Sequence, residues 1–131
     1  MKSWLKALFG KSDEDQAMLL PDNENITFHL IIDNLTIGIL TCQKGEWSFK
    51  YTDEYRNQAG EYKRIIGFPD LSKEYKSDTL WPFFRIRIPG LKQPAVQEIL
   101  EKEHLDKENE ALLLKRFGRK TVANPYLLEP A

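Results

Sequence analysis

The 131 residues are 41% hydrophobic and 30% charged, enough for one domain with a single core and too few for two independent ones. With 19 basic and 20 acidic residues the formal net charge is -1, so no global field recruits nucleic acid or an anionic membrane, and direct nucleic-acid binding is not expected. A lone cysteine, Cys42, excludes an internal disulfide, and with only His29 and His104 no protein-only zinc site or other metal or cofactor is expected, which fits the reducing cytoplasm.

No stretch approaches the roughly 18 apolar residues of a membrane span. Met1 to Phe9 is too short, and too interrupted by Lys6, for a signal-peptide core. In that segment Trp4, Leu5, Leu8 and Phe9 share one helical face with Lys2 and Lys6 elsewhere, a short amphipathic helix that is marginal alone. From Gly10 to Asn25 the chain turns polar and acidic through Asp13, Glu14, Asp15, Asp22 and Glu24, which reads as a tether. Residues 1–25 are therefore set apart from a domain over 26–131. Two readings of the terminus stay open: a frayed end, or a membrane or partner contact through Trp4, Leu5, Leu8 and Phe9.

The domain opens with Ile26, Phe28, Leu30 and Ile32 alternating against Thr27, His29 and Ile31, the pattern of a strand. Asp33-Asn34 turns the chain into a second strand over Leu35 to Gln43. Lys44-Gly45 then supplies a hairpin turn into Glu46 to Tyr51, where Trp47, Phe49 and Tyr51 share one face. Thr52 to Glu61 reads as a turn or short helix, and Tyr62 to Phe68 as a further short strand ended by Pro69.

Ser77 or Asp78 can cap a helix whose first turn tolerates Pro82, because early backbone N–H groups have no internal acceptor to lose. At about 100° per residue Leu80, Phe84 and Ile88 align, with Trp81 on the rim of the stripe. Pro89-Gly90 stops that helix. Pro94 opens the next, in which Val96, Ile99 and Leu100 form the apolar stripe and Glu98, Glu101 and Lys102 face water. Asp106 can cap a third helix carrying Leu113, Leu114 and Phe117 and ending at Gly118, and Thr121 to Leu128 reads as a closing strand. The sum is an α+β fold: a small antiparallel sheet of four to five strands packed on one side by two to three helices.

No acid, base, nucleophile and orienter occur at a spacing that chemistry requires, so the chain is expected not to be an enzyme. The pairs Asp53-Glu54 and Glu108-Glu110 sit in polar stretches and read as solvated faces. His29 reads as an ordinary sheet residue and Cys42 as structural. Trp81 admits two readings, a core aromatic or an exposed anchor for a partner. Arg87 falls near the middle of an apolar stripe, where an unpaired guanidinium is costly; it is expected to pair with Glu101, Glu103 or Glu110, or to mark a partner-facing edge with Phe83 and Arg85. Lys115, Arg116, Arg119 and Lys120 cluster around Gly118. Cations at a helix C-terminus are favoured by the dipole, and the alternative is an acidic partner surface.

Four stretches carry a family resemblance: Ile37-Gly38-Ile39-Leu40 leading to Trp47-Ser48-Phe49-Lys50-Tyr51; Asp78-Thr79-Leu80-Trp81-Pro82-Phe83-Phe84; Phe117-Gly118-Arg119-Lys120-Thr121-Val122; and Leu127-Leu128-Glu129-Pro130. With these the segment from Ile26 to Pro130 resembles the amino-terminal subdomain of the HipA-type bacterial toxin kinases, the small α/β piece preceding the kinase core. Ile65-Ile66-Gly67-Phe68-Pro69-Asp70-Leu71 departs from the family's run of small and apolar residues before the Phe-Phe pair. The resemblance implies the accessory part without the catalytic part. It also implies a role known for free-standing copies in split toxin systems: docking on a HipA-like serine/threonine kinase, or a toxin–antitoxin complex containing one, and restraining it. The resemblance fixes no inhibitory residue by position; the candidate partner-binding residues are those singled out above from the residues themselves, Trp81, Phe83, Arg85, Arg87, Arg116, Arg119 and Lys120. The alternative is a cytoplasmic adaptor, for which peripheral membrane association through the N-terminal segment is one option.

Overall fold

The computed structural model describes residues 25–57, 65 and 67–131. Five strands, β1 (Ile26–Ile32), β2 (Leu35–Gln43), β3 (Glu46–Tyr51), β4 (Tyr75–Ser77) and β5 (Leu127–Pro130), form one antiparallel sheet in the order β4-β3-β2-β1-β5. Four helices accompany it: α1 (Asp53–Asn57), α2 (Pro82–Arg85), α3 (Pro94–Lys102) and α4 (Glu110–Phe117). The fold is α+β, as the alternation of patterns predicts.

Both hairpins turn on two residues of positive φ, Asp33 and Asn34 between β1 and β2, Lys44 and Gly45 between β2 and β3. Such turns match the right-handed twist of the strands they join. Pairing of β1 with β2 shifts register between Leu30 and Ile31, leaving Ile37 as the extra residue of a bulge. Beyond the bulge Phe28 sits opposite Leu40, and Leu40 opposite Phe49, so one face of the sheet is apolar across three strands. Gly38 lies on that face because nothing larger fits: a Cβ there would meet the Phe49 ring at 2.5 Å.

The core gathers on this face. Phe28, Leu30, Leu40, Phe49 and Leu128 from the sheet meet Tyr55, Phe68, Leu80, Phe84 and Leu114 from the segments laid over it, all buried. Each large apolar side chain so buried contributes roughly 1.5–3 kcal/mol before conformational entropy is subtracted. A satellite cluster of Val96, Leu100 and Leu113 attaches α3 to α4. The opposite sheet face carries Thr27, His29, Ile39, Thr41 and Ser48, all half-buried.

Several local expectations are corrected. Tyr62–Phe68 is not a strand at its described positions: Phe68 N–H bonds the Ile65 carbonyl in a turn and Gly67 takes φ 98. The fourth strand is instead Tyr75–Ser77. The helix expected after Asp78 shrinks to one turn, with neither Ser77 nor Asp78 as its cap; the Ser77 hydroxyl accepts from Thr79 N–H and Trp81 is the N-cap residue. Past Arg85 the backbone tightens, Arg87 N–H bonding Phe84 and Ile88 N–H bonding Arg85. Such i→i+3 bonding stacks every third residue, so Arg87 follows Phe84 inward and Ile88 stays half-buried. Asn109, not Asp106, caps α4: its side chain accepts from Leu112 N–H, while Asp106 closes a tight turn on Glu108 N–H.

The closing strand starts late, at Leu127, because Asn124-Pro125 turns the chain first. In it Leu128 donates its N–H to the Arg119 carbonyl (3.0 Å), and beyond it Ala131 donates to the Thr27 carbonyl (2.8 Å).

Candidate functional site

The WPFF turn and the loop before β5 enclose a largely apolar groove of about 660 Å³. One wall is Phe68, Trp81, Pro82, Phe83 and Ile86; the other is Ala123, Asn124 and Tyr126. The size falls within the range of clefts that take a small ligand or a few side chains, roughly 300–1,000 Å³.

Trp81 is held from behind. Its ring meets Phe68 edge-on at 5.2 Å and Phe84 at 6.5 Å, while Phe83 stands edge-on to Phe84 at 5.1 Å and contacts Tyr126 at 5.9 Å. Trp81 and Phe83 are thus half-buried, each packed on the core and each offering a flank to the groove. Trp81 is neither wholly core nor fully exposed. Ile86, on the solvent side of the turn, is 59% exposed. Burial raises the Tyr126 hydroxyl above the usual phenol range, so the second wall is uncharged near neutrality.

Arg87 ties the two walls together. It is 4% exposed and meets no carboxylate among the described residues, which corrects the expected pairing with Glu101, Glu103 or Glu110. Its Nη1 donates to the carbonyls of Gly118 (2.9 Å) and Arg119 (3.2 Å), and its Nη2 to Asn124 Oδ1 (3.1 Å) and the Tyr126 carbonyl (2.9 Å). Its Nε is buried without a partner. Neutral acceptors solvate the cation without cancelling it, and desolvation by burial pushes its pKa down to about 10, still charged at pH 7.

The remaining predicted cations fall outside the groove. Arg85 turns to Glu110 (3.5 Å) and to the Leu80 carbonyl. Arg116 clasps Glu103 with two bonds of 2.8 and 3.1 Å, which raises Arg116 and holds Glu103 below the usual carboxylate range. Arg119 pairs with Glu129 at 3.1 Å. Lys120 is exposed and makes no ion pair among the described residues. Trp4, Leu5, Leu8 and Phe9 lie outside the described residues, as does the expected tether up to Glu24.

Sequence reasoning missed Ile86, Phe68, Asn124 and Tyr126 as groove residues. Ile86 carried a signal, being a large apolar residue off the predicted helical stripe, and Asn124-Pro125 carried a turn signal. Nothing local in the sequence joins Phe68 to Tyr126.

A small α+β domain with one helical face and an apolar groove on that face is what the geometry defines. The chain belongs to the HipA N-terminal domain family, whose model matches residues 28–123. A comparison with curated proteins found no significant match. No helix among the described residues is long and apolar enough to cross a membrane.

Proposed function

We propose that this protein is a non-enzymatic binding module that docks on a HipA-like serine/threonine kinase, or on a toxin–antitoxin complex containing one, and restrains it. The observation that carries this reading is the groove beneath the WPFF turn, where Trp81, Phe83 and the 59%-exposed Ile86 form an apolar surface on a member of the HipA N-terminal domain family. Half-buried aromatics backed by a packed core are the usual anchors of protein interfaces, because they are ordered before binding.

The test pairs the full chain with a HipA-type kinase core, reading co-elution and autophosphorylation. Wild type is expected to co-elute and lower the kinase activity. Ile86→Ser, which removes exposed apolar surface without touching the core, is expected to weaken co-elution with an unchanged melting temperature. Absence of both co-elution and any change in activity overturns the proposal.

A further inference from the structure

The two walls of the groove differ in electrical character. Phe68, Trp81, Pro82, Phe83 and Ile86 make the first wall apolar. Behind the second wall lies the Arg87 guanidinium, buried, without a carboxylate among the described residues, and one hydrogen bond from Asn124 on the groove surface.

Asn124 passes that polarity to the surface. Its Oδ1 accepts from two donors, Arg87 Nη2 and Tyr126 N–H, both at 3.1 Å. Two donors on the same atom fix which end of the amide faces the protein. The Nδ2 group is therefore turned away from Arg87, and its hydrogens have no acceptor among the described residues. Glu129, the acid of β5, is already engaged by Arg119 and offers Asn124 no competing acceptor.

This inference rests on the docking reading of the groove and says what kind of segment docks there. We infer that the occupant is a peptide segment carrying a carboxylate beside a bulky apolar side chain, the apolar group filling the space between Trp81 and Ile86 and the carboxylate accepting from Asn124 Nδ2, whose Oδ1 is held by the Arg87 cation. Asn124 is then the residue that sets specificity. A basic or purely apolar segment would leave its N–H groups unpaired on closure, and an unpaired polar group in a closed interface weakens binding.

The experiment selects linear peptides from a random displayed library on the immobilised full chain and keeps those whose binding is lost on Ile86→Ser, which marks them as groove-directed. The expected result is enrichment of Asp or Glu next to Leu, Phe or Trp in that set. Changing the peptide's Glu to Gln should weaken binding to the wild type roughly ten-fold, as befits loss of a charge-assisted hydrogen bond, and needs no variant of the protein. Asn124→Asp keeps an oxygen for Arg87 and Tyr126 N–H and supplies the guanidinium with a counter-charge, yet places an acceptor where the N–H groups were. It should bind the same peptides at least ten-fold more weakly. Groove-directed peptides that lack a carboxylate, or that tolerate both the peptide change and Asn124→Asp, overturn this inference while docking in the groove stands. If no selected peptide depends on Ile86, the docking surface fails and the inference falls with it.

Discussion

Tyr51 illustrates how much a single hydroxyl can hold. It donates to the Phe68 carbonyl at 2.6 Å and accepts from Ile65 N–H at 3.2 Å, fastening the segment that contributes Phe68 to the groove onto the end of β3. Burial pushes its pKa up to about 12 from 10.0. The folded value lies above the unfolded one, so this stabilisation is complete below pH 10 and is lost as pH rises through 12. Arg87, shifted down to about 10 from 12.5, acts in the opposite sense at alkaline pH, so the wild-type curve alone mixes the two. Denaturant titrations of wild type and Tyr51→Phe separate them. The variant should be less stable by roughly 1–2 kcal/mol at pH 8, and the gap should close between pH 10 and 12. A gap that stays constant across that range would show that the hydroxyl does not titrate differently in the two states.

Residues also mark where sequence reading stops. The alternation that put Phe28, Leu30, Trp47, Phe49 and Tyr51 on one face is a local signal, and all five are buried. The partners of Arg87 were not legible, because they lie 31 to 39 positions away and three of the four are backbone carbonyls, which every residue possesses. A reading that searches for carboxylates cannot find them.

Among the elements, helix boundaries diverge most from expectation, and the reason is competition between neighbouring polar side chains. Asp106 and Asn109 both precede α4, and both accept a backbone N–H, but only Asn109 stands at the N-cap. Asn109→Ala should therefore cost about 1 kcal/mol, whereas Asp106→Ala, which opens an exposed turn, should stay within about 0.5 kcal/mol. Equal losses in thermal melts would mean that the helix begins a turn earlier than Glu110. The shortened α2 has a related cause. Pro82 starts it and Pro89, lacking an N–H, cannot extend it, so the bonds between them tighten and the period falls from 3.6 toward 3. A wheel drawn at 100° per residue places Ile88 in the core and leaves the groove undrawn.

For the whole molecule, the division of the core into a large cluster and a small satellite predicts graded stability. The strands β1, β2 and β3 share the large cluster with α2 and α4, while α3 is attached, among the described residues, through Val96 and Leu100 against Leu113 and the half-buried residues around it. Native-state hydrogen exchange should find the slowest amides around Phe28, Leu40 and Phe49, and should find α3 opening at lower free energy than the sheet. Exchange of α3 amides only through global unfolding would contradict this. The groove sits on the large cluster, so its shape should persist through such local openings and the anchors of a docked segment should stay in register.

The bonds at the end of the chain carry a further consequence. Along β5 the N–H groups alternate in direction, and Ala131, bonded to Thr27, belongs to the set that faces β1. The outward set consists of Leu128, whose N–H is already given to Arg119, and Pro130, which has none. This margin of the sheet therefore offers incoming strands carbonyls alone, and a ladder needs both halves. Recruitment of a neighbour by strand addition is closed off at β5, so copies of the protein can crowd together without templating one another there.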